Sequence, residues 1–284
     1  MTKQKKVQGV FENPPQHWVG DGFHVRSVLP RGEMDGRFSP FLLLDYAGPT
    51  QFQPTRQPRG VGAHPHRGFE TVTIVYQGAL EHRDSAGNAG GIGPGDVQWM
   101  TAAAGLLHEE KHAAEFSRAG GTLEMVQLWV NLPKARKGDQ PGYQTLLNSQ
   151  IPVVDFGGGS FGRVIAGDVK GVHGPAKTAT PLTVVDLQFQ PGGVAEFDLP
   201  ERFNTALLLL HGEVTVNGAT EMEGAGTLAL FDHSGATVRV EARTKTSALL
   251  LSGEPIDEPV AAAGPFVMNT REELQQAMRD FSAH

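Results

Sequence analysis

Four side chains stand apart from the rest of the chain by type and spacing. His64-Pro65-His66 sets two imidazoles two residues apart, and His108-Glu109-Glu110 does the same with an imidazole and a carboxylate. In an extended strand, residues i and i+2 point to the same face, so each pair can reach one point from its own strand. On a helix the partners would diverge, and Pro65 disfavours helix around the first pair. Two such strands crossing gather three imidazole nitrogens and one carboxylate oxygen, a donor set for one divalent transition metal. Iron, manganese, nickel, copper and zinc all fit it. Four protein ligands in an octahedral field leave two positions for water, O2 or a substrate oxygen, which a catalytic site needs and a closed structural site lacks. The expected metal ligands are His64, His66, His108 and Glu110.

The neighbouring donors are assigned to other places. Alternation turns Glu109 away from His108, so Glu110 is the preferred carboxylate. His112, four residues beyond His108, would compete only on a helix and is read as solvated. Asp84, just after His82, is a candidate pocket residue, with an exposed hairpin the preferred reading. Trp99 and Met100 are read as core. Gly62, Gly68 and Gly105 flank the pairs and let backbone and ligands crowd together.

The elements that must position these residues are strands. Phe41–Leu44, Thr71–Tyr76, Met125–Val130, Leu182–Leu187 and Ala206–Leu210 are rich in β-branched and large apolar residues. Gly78, Gly87-Asn88, Gly93-Pro94-Gly95, Gly192-Gly193 and Asn217-Gly218 supply turns between them. The totals of 36 Gly and 19 Pro fit many tight turns and an all-β architecture. One helix is expected at the end: Thr270-Arg271-Glu272-Glu273 forms a capping box, and Leu274, Met278 and Phe281 recur at helical spacing.

At 284 residues the chain suits two domains of ordinary size. It has no cysteine, so disulfides, zinc knuckles and thiol nucleophiles are excluded and any metal must be held by His and carboxylate. A formal net charge of −7 argues against direct nucleic-acid binding, and Lys134, Arg136 and Lys137 are read as a solvated linker face. The basic residues at the N-terminus are followed by no apolar stretch, and no run approaches the ~20 apolar residues of a membrane helix. A cytoplasmic location without membrane contact is the expectation.

The two halves look alike. In the first, a strand ends at Gly78, a hairpin follows, and Gly93-Pro94-Gly95-Asp96 leads into Val97-Gln98-Trp99-Met100. In the second, a strand ends at Gly212, Asn217-Gly218 turns the chain, and Glu223-Gly224-Ala225-Gly226 leads into Thr227–Phe231. A repeat of this length suggests a duplicated domain. The polar, Pro- and Gly-marked stretch from Leu132 to Gly142 is the natural linker, giving domains 1–135 and 136–284. Where the second half would carry its HxH it offers Ala195-Glu196-Phe197, and His211 and His233 have no ligand two residues away. The second domain is expected to hold no metal.

His64-Pro65-His66-Arg67-Gly68-Phe69-Glu70-Thr71-Val72-Thr73 resembles the signature of the pirin family. So does Gly95-Asp96-Val97-Gln98-Trp99-Met100-Thr101-Ala102, followed by Gly105-Leu106-Leu107-His108-Glu109-Glu110. Phe41–Asp45, Gln127–Pro133 and Gly264–Thr270 are similar to further family segments, so the resemblance spans most of the chain. It implies two tandem cupin (jelly-roll) β-barrels and a single metal, usually Fe(II), in the first, on the positions that match His64, His66, His108 and Glu110. Glu70 falls where the general cupin motif has its acidic residue, and is read as lying behind the ligands or as structural.

The resemblance also implies two functions. Some pirin-like proteins are quercetin 2,3-dioxygenases, which open a flavonol ring with O2 and release carbon monoxide; Glu110 would then be both ligand and the base for the flavonol hydroxyl. Others are associated with iron-dependent, redox-sensing regulation through contacts with transcription factors or metabolic enzymes. A third reading, a cupin isomerase or a zinc-dependent sugar-phosphate enzyme, needs basic residues facing the site, and only Arg67 and Arg83 lie near it in sequence.

Overall fold

In a computed structural model, which describes residues 3–12, 14–29 and 38–282, the β-branched and aromatic runs become strands that pair antiparallel. All five expected runs lie within strands: Phe41–Phe52, Phe69–Gln77, Gly121–Asn131, Leu182–Phe189 and Asn204–His211. Contacts divide the chain into two units. One contains Pro15–Asn148 together with the segment from Ile256 onward, and the other contains Ser149–Pro255 together with the N-terminal segment up to Pro14.

The first unit faces a seven-stranded sheet against a four-stranded one. The larger runs in the order Gly142–Leu146, Val97–Thr101, Phe69–Gln77, Gly121–Asn131, Phe41–Phe52, Phe23–Ser27, Gln16–Val19. The smaller runs Gly60–His66, Leu106–His112, Leu80–Asp84, Ala89–Ile92. The second unit repeats the plan. Its larger sheet runs Val7–Phe11, Thr227–Phe231, Asn204–His211, Thr246–Gly253, Leu182–Phe189, Ser160–Ala166, Val153–Gly157, and its smaller one Val194–Asp198, Thr237–Ala242, Glu213–Val216, Thr220–Glu223. The same seven-plus-four order in both is the duplication seen in the sequence: two jelly-roll barrels, with one short helix at the end.

The domain boundary at 135/136 is not where the contacts divide the chain, and strand pairing shows why. The outer place beside Val97–Thr101 is taken by Gly142–Leu146, so the first unit runs on past residue 135. The equivalent place beside Thr227–Phe231 is taken by Val7–Phe11, which brings the N-terminal segment to the second barrel. Each closes an edge that would otherwise expose unpaired backbone groups. The C-terminal segment returns to the first barrel, where Val267 N donates to Arg67 O at 3.0 Å.

Lys137 belongs to this return and not to a solvated linker. It is buried, and its Nζ donates to Gly68 O, Asn131 Oδ1 and Val267 O at 2.6, 2.7 and 2.8 Å. The final helix, Arg271–Phe281, has the expected capping box between Thr270 and Glu273. Leu274 and Phe281 pack on Phe266 and Met268. Met278, expected on the packing face, is 41% exposed, and Ala277 takes the buried place. No helix among the described residues is long and apolar enough to cross a membrane.

In the second barrel the strands that correspond to Gly60–His66 and Leu106–His112 turn Ala195, Phe197, Val238 and Val240 into one apolar cluster with Leu207, Phe231 and Leu250. Alternation that faces imidazoles inward in one barrel faces hydrocarbon inward in the other.

Candidate metal centre

The smaller sheet of the first barrel carries three i, i+2 pairs on adjacent strands. Gly60–His66 pairs with Leu106–His112 so that His64 sits opposite His108, and a register shift follows before Glu110. Leu106–His112 pairs on its other side with Leu80–Asp84, which sets His108 opposite Asp84 and Glu110 opposite His82. Along Leu106–His112 the even-numbered residues are buried and the odd-numbered ones are not, the alternation of a strand with one face inward.

The structure brings His64, His66 and His108 together. Their ring centroids lie 4.3 to 4.8 Å apart, and one nitrogen from each falls in a group whose members are all within 4.8 Å. Glu110 enters a second such group with His82 and His108. Glu110 also lines one cavity with His64 and His66.

Hydrogen bonding decides which nitrogens face inward. His64 Nδ1 lies 2.8 Å from Gly62 O and His66 Nδ1 lies 3.4 Å from Pro265 O. A carbonyl only accepts, so both Nδ1 atoms carry the proton and both Nε2 atoms carry lone pairs. Those two Nε2 atoms are 3.2 Å apart. His108 Nε2 is buried and has no hydrogen-bond partner. Lone pairs facing each other beside an orphaned buried nitrogen are unfavourable unless a cation lies among them, so these residues fit a metal ion.

Electrostatics agree. Burial lowers His64, lowers His66 to about 3 with His64 beside it, and lowers His108, next to His66 and His64, further. The three imidazoles are therefore neutral at pH 7, the form that binds metal. Burial pushes Glu110 up to about 7, against the hydrogen bonds from Thr73 Oγ1 (3.3 Å) and Gln98 Nε2 (2.9 Å) to its Oε1.

The facing wall is a polar row across the larger sheet. Strand register sets Gln98, Thr73, Gln127, Asp45 and Ser27 side by side on five consecutive strands. Thr73 Oγ1 donates to Gln127 Oε1 at 2.9 Å, and Ser27 Oγ donates to Asp45 Oδ1 at 2.6 Å. Asp45 and Gln127 line the same cavity of about 200 Å³, whose remaining walls are Val19, Phe23, Val25, Leu43, Val61, Met125 and Trp129. Trp129 also backs His66 edge-on at 5.2 Å.

Other residues depart from the sequence reading or bear it out. Glu109 does face away from His108 and pairs with Lys111 at 2.7 Å. His112 is buried, not solvated, because position 112 shares the inward parity of 108 and 110; its Nε2 lies 2.9 Å from Gly22 O. His82 and Asp84 are interior, with side chains 1% and 0% exposed, and not an exposed hairpin. Their HxD spacing is the same signal as the other two pairs. Glu70 lies on the opposite face of its strand from Phe69 and Thr73 and accepts from Thr101 Oγ1 at 2.6 Å. Arg67 is engaged by Asp280 at 2.6 Å and Arg83 is exposed, which removes the basic pair that a phosphate-binding site would need. Trp99 and Met100 are fully buried core.

The fold and this cluster define a two-barrel cupin with a His and carboxylate centre in its first barrel. Family models agree on both barrels: residues 22–130 match Pirin, and residues 184–284 match the Pirin C-terminal cupin domain. The chain belongs to the pirin family. A Pseudomonas aeruginosa protein provisionally named quercetin 2,3-dioxygenase is 53% identical over 98% of this chain and 96% of its own length. A pirin-like protein of Solanum lycopersicum is 39% identical over 92% of this chain and 86% of its own. A crystal structure described as quercetin 2,3-dioxygenase from Acinetobacter baumannii superposes with a TM-score of 0.95 at 46% identity, covering 99% of this chain and 97% of that one.

Proposed function

We propose that the chain is a metal-dependent dioxygenase acting on flavonols with O2, of the quercetin 2,3-dioxygenase type, with one divalent transition metal, Fe(II) in the cell, held by His64, His66, His108 and Glu110. The observation that carries the reading is the convergence of imidazole lone pairs at a cavity whose walls are otherwise mostly apolar. The names of close relatives support the same activity.

When bound, the metal supplies a Lewis acid and a redox-active centre. The chain's own residues supply the rest. A cavity of ~150 Å³ suffices for benzene, so the space here seats one ring of a planar aromatic substrate and leaves the remainder at the mouth. Phe23, Leu43, Met125 and Trp129 take the ring faces and exclude water, while Asp45 and Gln127 offer hydrogen-bond partners to substrate oxygens. In the metal-free chain burial raises Glu110 to about 7; a bound cation would lower a coordinated carboxyl again, so Glu110 acts as base for a flavonol hydroxyl only when it loosens from the metal.

The test is metal analysis of anaerobically purified protein, with O2 uptake and carbon monoxide release measured on quercetin. Turnover far above that of free metal is expected. Turnover no faster than free metal would sink the dioxygenase reading and favour the redox-sensing binding protein, which uses the same ligands.

A further inference from the structure

One buried chain of hydrogen bonds in the first barrel runs behind the ligand set. Asp84 is fixed by the turn that follows it: Oδ1 accepts from the backbone N of Ala86 (3.0 Å) and of Asn88 (2.9 Å), and the Asn88 side-chain amide reaches both oxygens. Asp84 Oδ2 lies 3.2 Å from His82 Nε2. The His82 ring stacks on Tyr143 with centroids 4.7 Å apart. On its far side, His82 Nδ1 lies 3.4 Å from both His108 Nδ1 and Gln98 Nε2.

Only one placement of protons satisfies every partner. Tyr143 OH donates to Gln98 Oε1 at 3.1 Å and Gln98 Nε2 donates to Glu110, which fixes the Gln98 amide with its N–H groups toward Glu110 and His82. An ionised carboxylate only accepts, so His82 carries its proton on Nε2 and presents a lone pair at Nδ1. Gln98 and His108 share that lone pair as donors, and His108 must donate from Nδ1. Its Nε2, buried and without a partner, is left as a bare lone pair.

We propose that Asp84 and His82 are positioning residues that determine which nitrogen of His108 is protonated, and so keep its Nε2 free to join His64 and His66. The consequence for a metal rests on the ligand reading above; the proton placement does not. Partners of this kind behind a ligating histidine fix its tautomer and orientation.

The structure also says what Asp84→Asn would do. The two backbone donors at Oδ1 keep an oxygen in that place, so the new amide NH2 faces His82 Nε2 as a donor. His82 must then accept at Nε2 and carry its proton on Nδ1. His108 Nδ1 becomes an acceptor, and its proton moves to Nε2, the atom meant for the metal. One isosteric substitution reverses the proton order of His82 and His108, while Gln98 Nε2 and Asn88 Nδ2 lose the acceptors they have at His82 Nδ1 and Asp84 Oδ2.

The experiment is long-range 15N–1H NMR of the metal-free, histidine-labelled full chain, followed by zinc titration in competition with a chelator. In the unsubstituted protein His82 is expected as the Nε2–H form and His108 as the Nδ1–H form, and both invert in Asp84→Asn. Zinc affinity is expected to fall by roughly 10- to 100-fold in Asp84→Asn, and also in His82→Phe, which keeps the ring and loses the relay. A His108 proton on Nε2 in the unsubstituted protein overturns the proposal without needing any variant to fold. So does an unchanged His108 tautomer in Asp84→Asn. Two zinc ions per chain would overturn it as well, because His82, His108 and Glu110 would then be a second site. The stated tautomers without zinc binding would uphold the proton placement and remove the ligand reading instead.

Discussion

His64 and His66 point their Nε2 atoms at each other across 3.2 Å while each turns Nδ1 to a backbone carbonyl. The strand supplies this geometry through its i, i+2 parity, and the carbonyls remove the tautomer that would let the two rings hydrogen-bond. On the proposed assignment, removing one ring removes one ligand and keeps the strand. His66→Ala is expected to lose most of its bound metal by elemental analysis and to abolish flavonol consumption. Glu110→Gln, which keeps the hydrogen-bonding shape and loses the charge, is expected to abolish consumption too. Full activity of both variants in metal-loaded form would reject the assignment.

Stability of the metal-free protein follows from the same burial. His66 has a folded-state value of about 3 against an ordinary 6.5, and His64, His82, His108 and His112 are lowered in the same direction. Between those values the unfolded chain binds more protons, so stability is fully present above pH 6.5 and is lost as pH falls toward 3. Glu110, raised to about 7 from 4.5, acts in the opposite sense between those values and offsets part of the loss. Burial raises Asp45 and Glu70 in the same sense as Glu110, so five lowered histidines stand against three raised carboxyls and outweigh them. The midpoint of urea unfolding without metal is expected to drop between pH 7.5 and pH 5; a midpoint that rises would contradict this balance.

Much of this was legible from spacing, and the remainder was not for identifiable reasons. Strand parity alone put His64 with His66 and His108 with Glu110. The same parity applied to His82 and Asp84, but the nearby Gly87-Asn88 turn suggested an exposed hairpin. What buries them is pairing with Leu106–His112 and the stacking of Tyr143, contacts that local sequence does not encode. Four residues is a helical interval, which hides that His112 is also an even step from His108 and therefore inward on a strand. Lys137 looked like linker because its partner Val267 is 130 residues away. The exchange of outer strands is hidden for the same reason, since nothing in Val7–Phe11 names Thr227–Phe231 as its neighbour.

Asp45 offers a separation between binding substrate and binding metal. It is a buried carboxylate on the cavity wall, held by Ser27 at 2.6 Å, and it belongs to neither potential ligand group. Asp45→Asn preserves shape and removes the charge. Hydrogen bonds to charged groups contribute about 1.5–3 kcal/mol against about 0.5–1.5 for neutral ones, so KM for quercetin should rise roughly five- to tenfold while metal content stays unchanged. Unaltered KM would mean that Asp45 does not meet the substrate, and lost metal would mean that it supports the ligands.

Lys137 tests the attachment of the C-terminal segment to the first barrel. Its Nζ serves Gly68 O, Asn131 Oδ1 and Val267 O from a buried position. Two effects oppose each other in Lys137→Met. Desolvation of the ammonium is relieved, and that desolvation is what lowers Lys137 to about 7. Against this, the carbonyls of Gly68 and Val267 lose a donor, at about 1–3 kcal/mol each where no water replaces it. The lost hydrogen bonds are expected to win, leaving Lys137→Met less stable by about 2 kcal/mol. Lys137→Ala should lose roughly 1–2 kcal/mol more through the cavity it leaves. The pH dependence has a definite sign. Between pH 7 and 10.5 the unfolded chain binds the proton that the folded chain has released, so the Lys137 contribution grows as pH rises through that window. Urea unfolding of the two proteins at pH 7 and pH 9 should therefore show the gap between them widening; a gap that stays constant would mean the three acceptors hold the ammonium charged throughout.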